Sequence, residues 1–172
     1  GMLLCSSAGN DILFDESQVE QGRNFCNKIW NAYRLIRGWE VSADIQQSEH
    51  SKLAAEWFDN KLSQTIETID EHFSKFRLSD ALMTLYKFFW DDFCAWYLEV
   101  IKPEYGKPID KVTYDTTIVF LAKLLRLLQK LLRKIPNLPR QKNNSYNDDT
   151  SAGSRNCFRL RLCITFVEPI CT

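Results

Sequence analysis

Apolar side chains return at helical spacing through most of the first 135 residues. Val19, Cys26, Ile29, Tyr33 and Ile36 repeat every three, four or seven positions, which places them on one side of a helix. Asp15 stands where an N-cap belongs, and Gln18 follows three positions later, as a capping box requires. Gly38 is a natural stop. A polar loop over residues 42–48 leads to a second helix over 49–73, with Leu53, Trp57, Leu62, Ile66, Ile69 and Phe73 as its apolar side. The third helix, over 79–102, carries Tyr86, Phe88, Phe89, Trp90, Phe93, Trp96 and Tyr97. Apolar residues on nearly all its sides imply burial between several neighbours. Pro103 and the Gly106-Lys107-Pro108 turn end it. Asp110 caps a fourth helix that continues through Ile118, Leu121, Leu125, Leu128 and Leu132 to Pro136.

Four amphipathic helices with short links predict an all-α fold, an up-and-down bundle of about four helices over residues 15–135. Residues 1–14 form a lead-in with a turn signal at 8–11. Residues 136–172 diverge into an irregular basic tail. Its first part is Asn-, Ser-, Asp- and Arg-rich and reads as linker or disorder. Its end contains the alternating stretch Phe158-Arg159-Leu160-Arg161-Leu162, with no second strand in the sequence to pair with.

Composition narrows the class. Aromatic residues make up 13% of the 172 residues, too many for a wholly disordered chain, and only six Gly and five Pro argue against a turn-rich all-β fold. Net charge is zero, but unevenly spread. Residues 1–122 hold 12 basic and 19 acidic side chains, and residues 123–172 hold 10 basic and 3 acidic. A basic tail, or an electrostatic partner at that end, would account for the asymmetry. No run of 18 apolar residues is present to span a membrane. Gly1-Met2-Leu3-Leu4-Cys5 lacks the charged start and apolar run of a secretory signal. Cys26 and Cys94 sit inside aromatic helical stretches, as small buried hydrophobes do. Reduced thiols and a cytoplasmic location are the expectation.

Most catalytic chemistry is missing. The sequence has no phosphate-cradling Gly-rich loop, no Gly-x-Ser-x-Gly elbow and no His-Glu-x-x-His motif. His50 and His72 read as ordinary surface or boundary histidines. Cys157, Cys163 and Cys171 lack the paired spacing of a zinc site. Asp91 and Asp92 are adjacent, so they diverge around a helix instead of forming a carboxylate dyad, and they read as a solvated or salt-bridged face beside Lys87. One constellation is more pointed. Asn24, Asn27, Lys28, Asn31 and Arg34 share one face of the first helix, with two positive charges, three amides and no carboxylate. Amides can donate to and accept from base edges, while Lys and Arg neutralise phosphate. The same spacing is also what a solvated helix face would show.

Around these residues the text resembles a known family. Phe14-Asp15-Glu16, then Gly22-Arg23-Asn24-Phe25-Cys26-Asn27-Lys28-Ile29-Trp30-Asn31-Ala32 and Arg34, is similar to the start of the anticodon-binding domain of valyl-tRNA synthetases. Phe73-Ser74-Lys75-Phe76-Arg77-Leu78-Ser79-Asp80-Ala81-Leu82 forms a second block. Trp90-Asp91-Asp92-Phe93-Cys94-Ala95-Trp96-Tyr97-Leu98-Glu99, with Ile101-Lys102-Pro103, forms a third. The likeness covers roughly residues 3–128. It implies a helical module that holds the anticodon stem-loop of valine tRNA, with Lys28, Asn31 and Arg34 as reading residues, Asn24 and Asn27 beside them, and Trp96 and Leu98 nearby. The class I nucleotide signatures of the family are not found in this sequence. The resemblance therefore implies no catalysis and no cofactor for this chain, with ATP and magnesium belonging to a catalytic domain. After Leu128 the likeness stops, as a truncated or frame-shifted gene would leave it. The competing readings are a protein-interaction module that binds other synthetase domains or weakly self-associates, and a gene remnant without function.

Overall fold

A computed structural model describes residues 16–133, and side chains within 20–131. The lead-in, the Asp15 cap, the Pro136 boundary and the basic tail lie outside the described residues. Helix α1 spans Glu16–Arg37 and ends where expected, with the Gly38 N–H donating to the Arg34 carbonyl at 3.0 Å. Helix α2 spans Glu49–Ser74, and the Ser48 side chain caps it by accepting from the Ser51 N–H. Helix α3, Leu78–Lys87, passes directly into a π-helix, Phe88–Tyr97, and then into a short α4, Leu98–Ile101. Helix α5 spans Lys111–Arg133. Asp110 caps it by accepting from the Thr113 N–H at 2.8 Å.

Besides the π segment, which interrupts the helix expected over 79–102, three features differ from the sequence reading. The first is the covered side of α2. Its buried residues are Ser51, Ala54, Phe58, Leu62, Thr65 and Ile69, while Leu53 and Trp57 stay exposed. Two apolar stripes adjoin in the first half of this helix, and periodicity alone cannot tell which one a neighbour covers. The second is the turn between α2 and α3. Phe76 adopts the left-handed region with φ 57°, and the Arg77 N–H reaches back to the His72 carbonyl at 2.8 Å. This is the geometry of a helix C-terminus usually closed by glycine, so a phenylalanine there hides it from sequence inspection. The third is a two-residue parallel bridge, β1 (Val41–Ser42) with β2 (Ile109–Asp110), pairing Val41 with Ile109 and Ser42 with Asp110.

The π segment explains how so many aromatic residues can be packed. Its bonds run from N–H to the carbonyl five residues back, as from Leu98 to Phe93. Phe88, Phe93 and Tyr97 therefore fall on one side, where Phe58 of α2 and Phe120 of α5 meet them. Tyr97 is wholly buried, and its hydroxyl shares a 3.1 Å hydrogen bond with Thr117 of α5.

Burial at this junction has a consequence at high pH. It pushes the Tyr97 phenol from 10.0 up to about 12, opposed by the Thr117 hydrogen bond and helped by the charge of Asp110. It likewise pushes the Cys94 thiol from 9.0 up to about 12, with the Lys28 charge pulling the other way. Both groups are held neutral more firmly in the folded chain than in the unfolded one. Their contribution to stability is complete below pH 9.0 and is lost progressively as pH rises toward 12. Urea midpoints measured from neutral to strongly alkaline pH should fall across that window. Tyr97→Phe and Cys94→Ala in one chain should flatten the fall, and an equally steep fall in that variant would assign it to other groups.

Candidate nucleic-acid interface

Helix α1 buries Phe25, Ile29, Ala32 and Ile36 against the rest of the bundle. That commits its other side to solvent. Asn24, Asn31 and Arg34 are exposed, and Asn27 and Lys28 are half-buried. From Asn24 to Arg34 the face runs about 15 Å along the helix. No carboxylate occurs between Glu20 and Glu40, and the salt bridge of Glu20 to Arg23 at 2.8 Å marks the edge of this stretch. A surface formed by two other helices contrasts with it. There α2 and α5 form an open groove lined by Glu56, Asp59, Asp115 and Lys123, where Lys123 bridges Asp59 at 3.1 Å.

Lys28 is positioned by an aromatic ring. Its Nζ lies 5.1 Å from the centroid of Trp90, a cation–π contact that keeps the ammonium on the surface. Trp90 stacks on Tyr86 at 5.6 Å, and Tyr86 packs on Phe25 of α1 at 4.9 Å. Arg34 lies in the last turn of α1 with Arg37, where the helix dipole favours a cation. The structure thus groups Asn24, Asn27, Lys28, Asn31 and Arg34 on one surface and adds Trp90 to it. Sequence reading had treated Trp90 as a core residue, because nothing in its spacing reveals that a lysine rests on the ring.

The two residues drawn from the third helix fare differently. Leu98 is 2% exposed and belongs to the core. Its side chain has no surface to offer a nucleotide, so it drops out of the contact set. Trp96 is exposed, but its ring packs on Trp57 of α2 and not on α1. Asp92 pairs with Lys61 of α2 at 3.1 Å instead of standing beside Lys87. Among the described residues no group of His, Cys, Asp or Glu could hold a metal ion, and no helix is long and apolar enough to cross a membrane.

Residues 55–132 match the family model for the anticodon-binding domain of tRNA ligase. This stretch is similar to the anticodon-binding domains of tRNA ligases. The chain is 58% identical over 132 residues to the valine–tRNA ligase of Phocaeicola vulgatus and 55% identical to that of Bacteroides thetaiotaomicron, in each case over 77% of its length. It is 32% identical over 134 residues to the valine–tRNA ligase of Symbiobacterium thermophilum. The resemblance read from the sequence blocks is thereby borne out, and so is the helical bundle. The chain spans 15% of the length of each of these relatives. No solved structure matches it.

Proposed function

We propose that this anticodon-binding domain is a tRNA-binding module of the valine–tRNA ligase kind, holding the anticodon stem-loop of valine tRNA against α1. The observation that carries the reading is the carboxylate-free face of Asn24, Asn27, Lys28, Asn31 and Arg34 on α1, packed on a bundle whose residues 55–132 match the anticodon-binding domain of tRNA ligase. The amides would meet base edges, Lys28 would neutralise phosphate, and Arg34 would bind phosphate or stack on an unstacked loop base. The module itself is non-catalytic in this reading. Valine activation, with its ATP and magnesium, would fall to a catalytic domain, and the setting would be the cytoplasm.

A binding titration of the 172-residue chain against valine tRNA and a non-cognate tRNA tests it. Valine tRNA should bind more tightly, and affinity should fall as salt rises. With two phosphate-neutralising cations, the slope of log affinity against log salt should be about −1.4 for a single-stranded loop. Equal binding to both tRNAs, or binding to neither, would sink the reading and favour an interaction module or a remnant.

A further inference from the structure

The groove between α2 and α5 carries an excess of one charge. It encloses about 690 Å³, with Val119 and Phe120 as apolar surface and three carboxylates, Glu56, Asp59 and Asp115, against the single ammonium of Lys123. That ammonium is already committed. It bridges Asp59 at 3.1 Å and lies 5.5 Å from the centroid of Phe120. Glu56 and Asp115 are exposed and make no salt bridge among the described residues. A complementary occupant brings apolar groups for the valine and phenylalanine and cations for these two carboxylates.

The chain itself carries such a segment beyond α5. Arg155, Arg159 and Arg161 are the only charged residues between 150 and 167, and Phe158, Leu160 and Leu162 alternate with the last two of them. Drawn out as a strand, this alternation sends apolar side chains to one side and guanidinium groups to the other. Arginine stems are long enough to bend back to the edge of a groove whose base takes the apolar side. Lys134, Arg140 and Lys142 stand nearer to α5, but beside Pro136, Pro139 and amides, with no such alternation.

Reach favours the same segment. Val119 lies 14 positions before Arg133, where α5 ends, which is about 21 Å along the helix. The 21 residues from 134 to 154 make a link with a coil dimension of about 25 Å. Link and span therefore match, and a tethered segment then reaches its highest local concentration, on the order of millimolar. A separate basic partner would have to compete with that.

We propose that residues 155–162 of this chain dock in the α2–α5 groove, with Phe158, Leu160 and Leu162 toward Val119 and Phe120 and the arginines toward Glu56 and Asp115. The contact is intramolecular and weakens as salt screens it.

Trypsin digestion of the 172-residue chain under single-cleavage conditions provides the test, with products identified by mass. Cleavage after Lys142, in the link, serves as the internal reference. At low salt, products ending at Arg159 and Arg161 should form at least tenfold more slowly in the parent than in a Glu56→Arg, Asp115→Arg double variant. Both changes fall at exposed positions, so the melting curve should be kept. Phe158→Ser alters the segment alone and should likewise speed cleavage after Arg161. Glu67→Arg, exposed on α2 outside the groove, should leave the protection intact, and high salt should reduce it. Equal rates in the parent and the groove variant would overturn the proposal. Protection that Glu67→Arg also abolishes would overturn it too, by making the attraction a general one. Protection that grows with protein concentration would assign the groove to the tail of another copy and overturn the intramolecular contact. No RNA enters the assay and α1 takes no part in the groove, so this test and that of the anticodon reading fail separately.

Discussion

Phe58→Ala is expected to destabilise the chain by about 3–5 kcal/mol, the range for removing a fully buried phenylalanine. Its ring is wholly buried and sits where three helices converge. It lies 4.8 Å from Tyr97, 4.9 Å from Phe120, 5.1 Å from Phe88 and 5.5 Å from Phe93, centroid to centroid. Truncation would leave a void whose walls are aromatic rings borne by the π segment and by α5. Those rings cannot collapse into it without moving a helix, so the cavity contribution adds to the lost transfer free energy. Urea unfolding should show a lower midpoint with an unchanged slope. Leu53→Ala, five positions earlier on the exposed stripe, should stay within about 0.5 kcal/mol of the parent. A loss below 1 kcal/mol for Phe58→Ala would mean that the junction repacks and is not the keystone of the bundle.

Arg34→Ala should weaken binding of valine tRNA by about 1–3 kcal/mol, roughly 5- to 150-fold. Its stability should remain within about 0.5 kcal/mol of the parent, because the side chain is exposed and has no ion-pair partner among the described residues. Arg34→Lys separates the two ways the residue could act. A lysine keeps the charge for a phosphate but loses the planar fork that stacks on a base or binds two acceptors at once. Full rescue by lysine would assign Arg34 to phosphate, and no rescue would assign it to a base. Unaltered binding by Arg34→Ala in a titration at low salt would remove the residue from the site.

Much of this molecule was legible in advance because its helices are long and their apolar faces periodic. The end of α1 and the starts of α2 and α5 fall at Gly38, Ser48 and Asp110, whose roles are local chemistry. The grouping of Asn24, Asn27, Lys28, Asn31 and Arg34 on one side of α1 followed from spacing too, opposite the buried Phe25, Ile29, Ala32 and Ile36. What was not legible depends on contacts between distant residues. Leu53 and Trp57 read as core because a helix carries no record of which stripe its neighbours reach. Leu98 read as a site residue from likeness alone, and only packing shows that it is sealed inside. The ring under Lys28 belongs to a helix more than 60 residues further along the chain, a pairing that no local pattern encodes. The π segment is equally hidden, because its rings meet partners on two other helices, Phe58 and Phe120, that lie far away in the sequence.

The small parallel bridge of Val41 with Ile109 ties together the two linkers that follow α1 and precede α5. The Ile109 N–H also donates to the Glu40 carbonyl at 2.8 Å, a few residues beyond Arg34. The C-terminal end of α1 is therefore clasped by the segment that launches the last described helix. Residues 40–42 and 109–110 thus act as a buckle, which holds the last turn of α1, with Arg34 and Arg37, at a fixed distance from the first turn of α5.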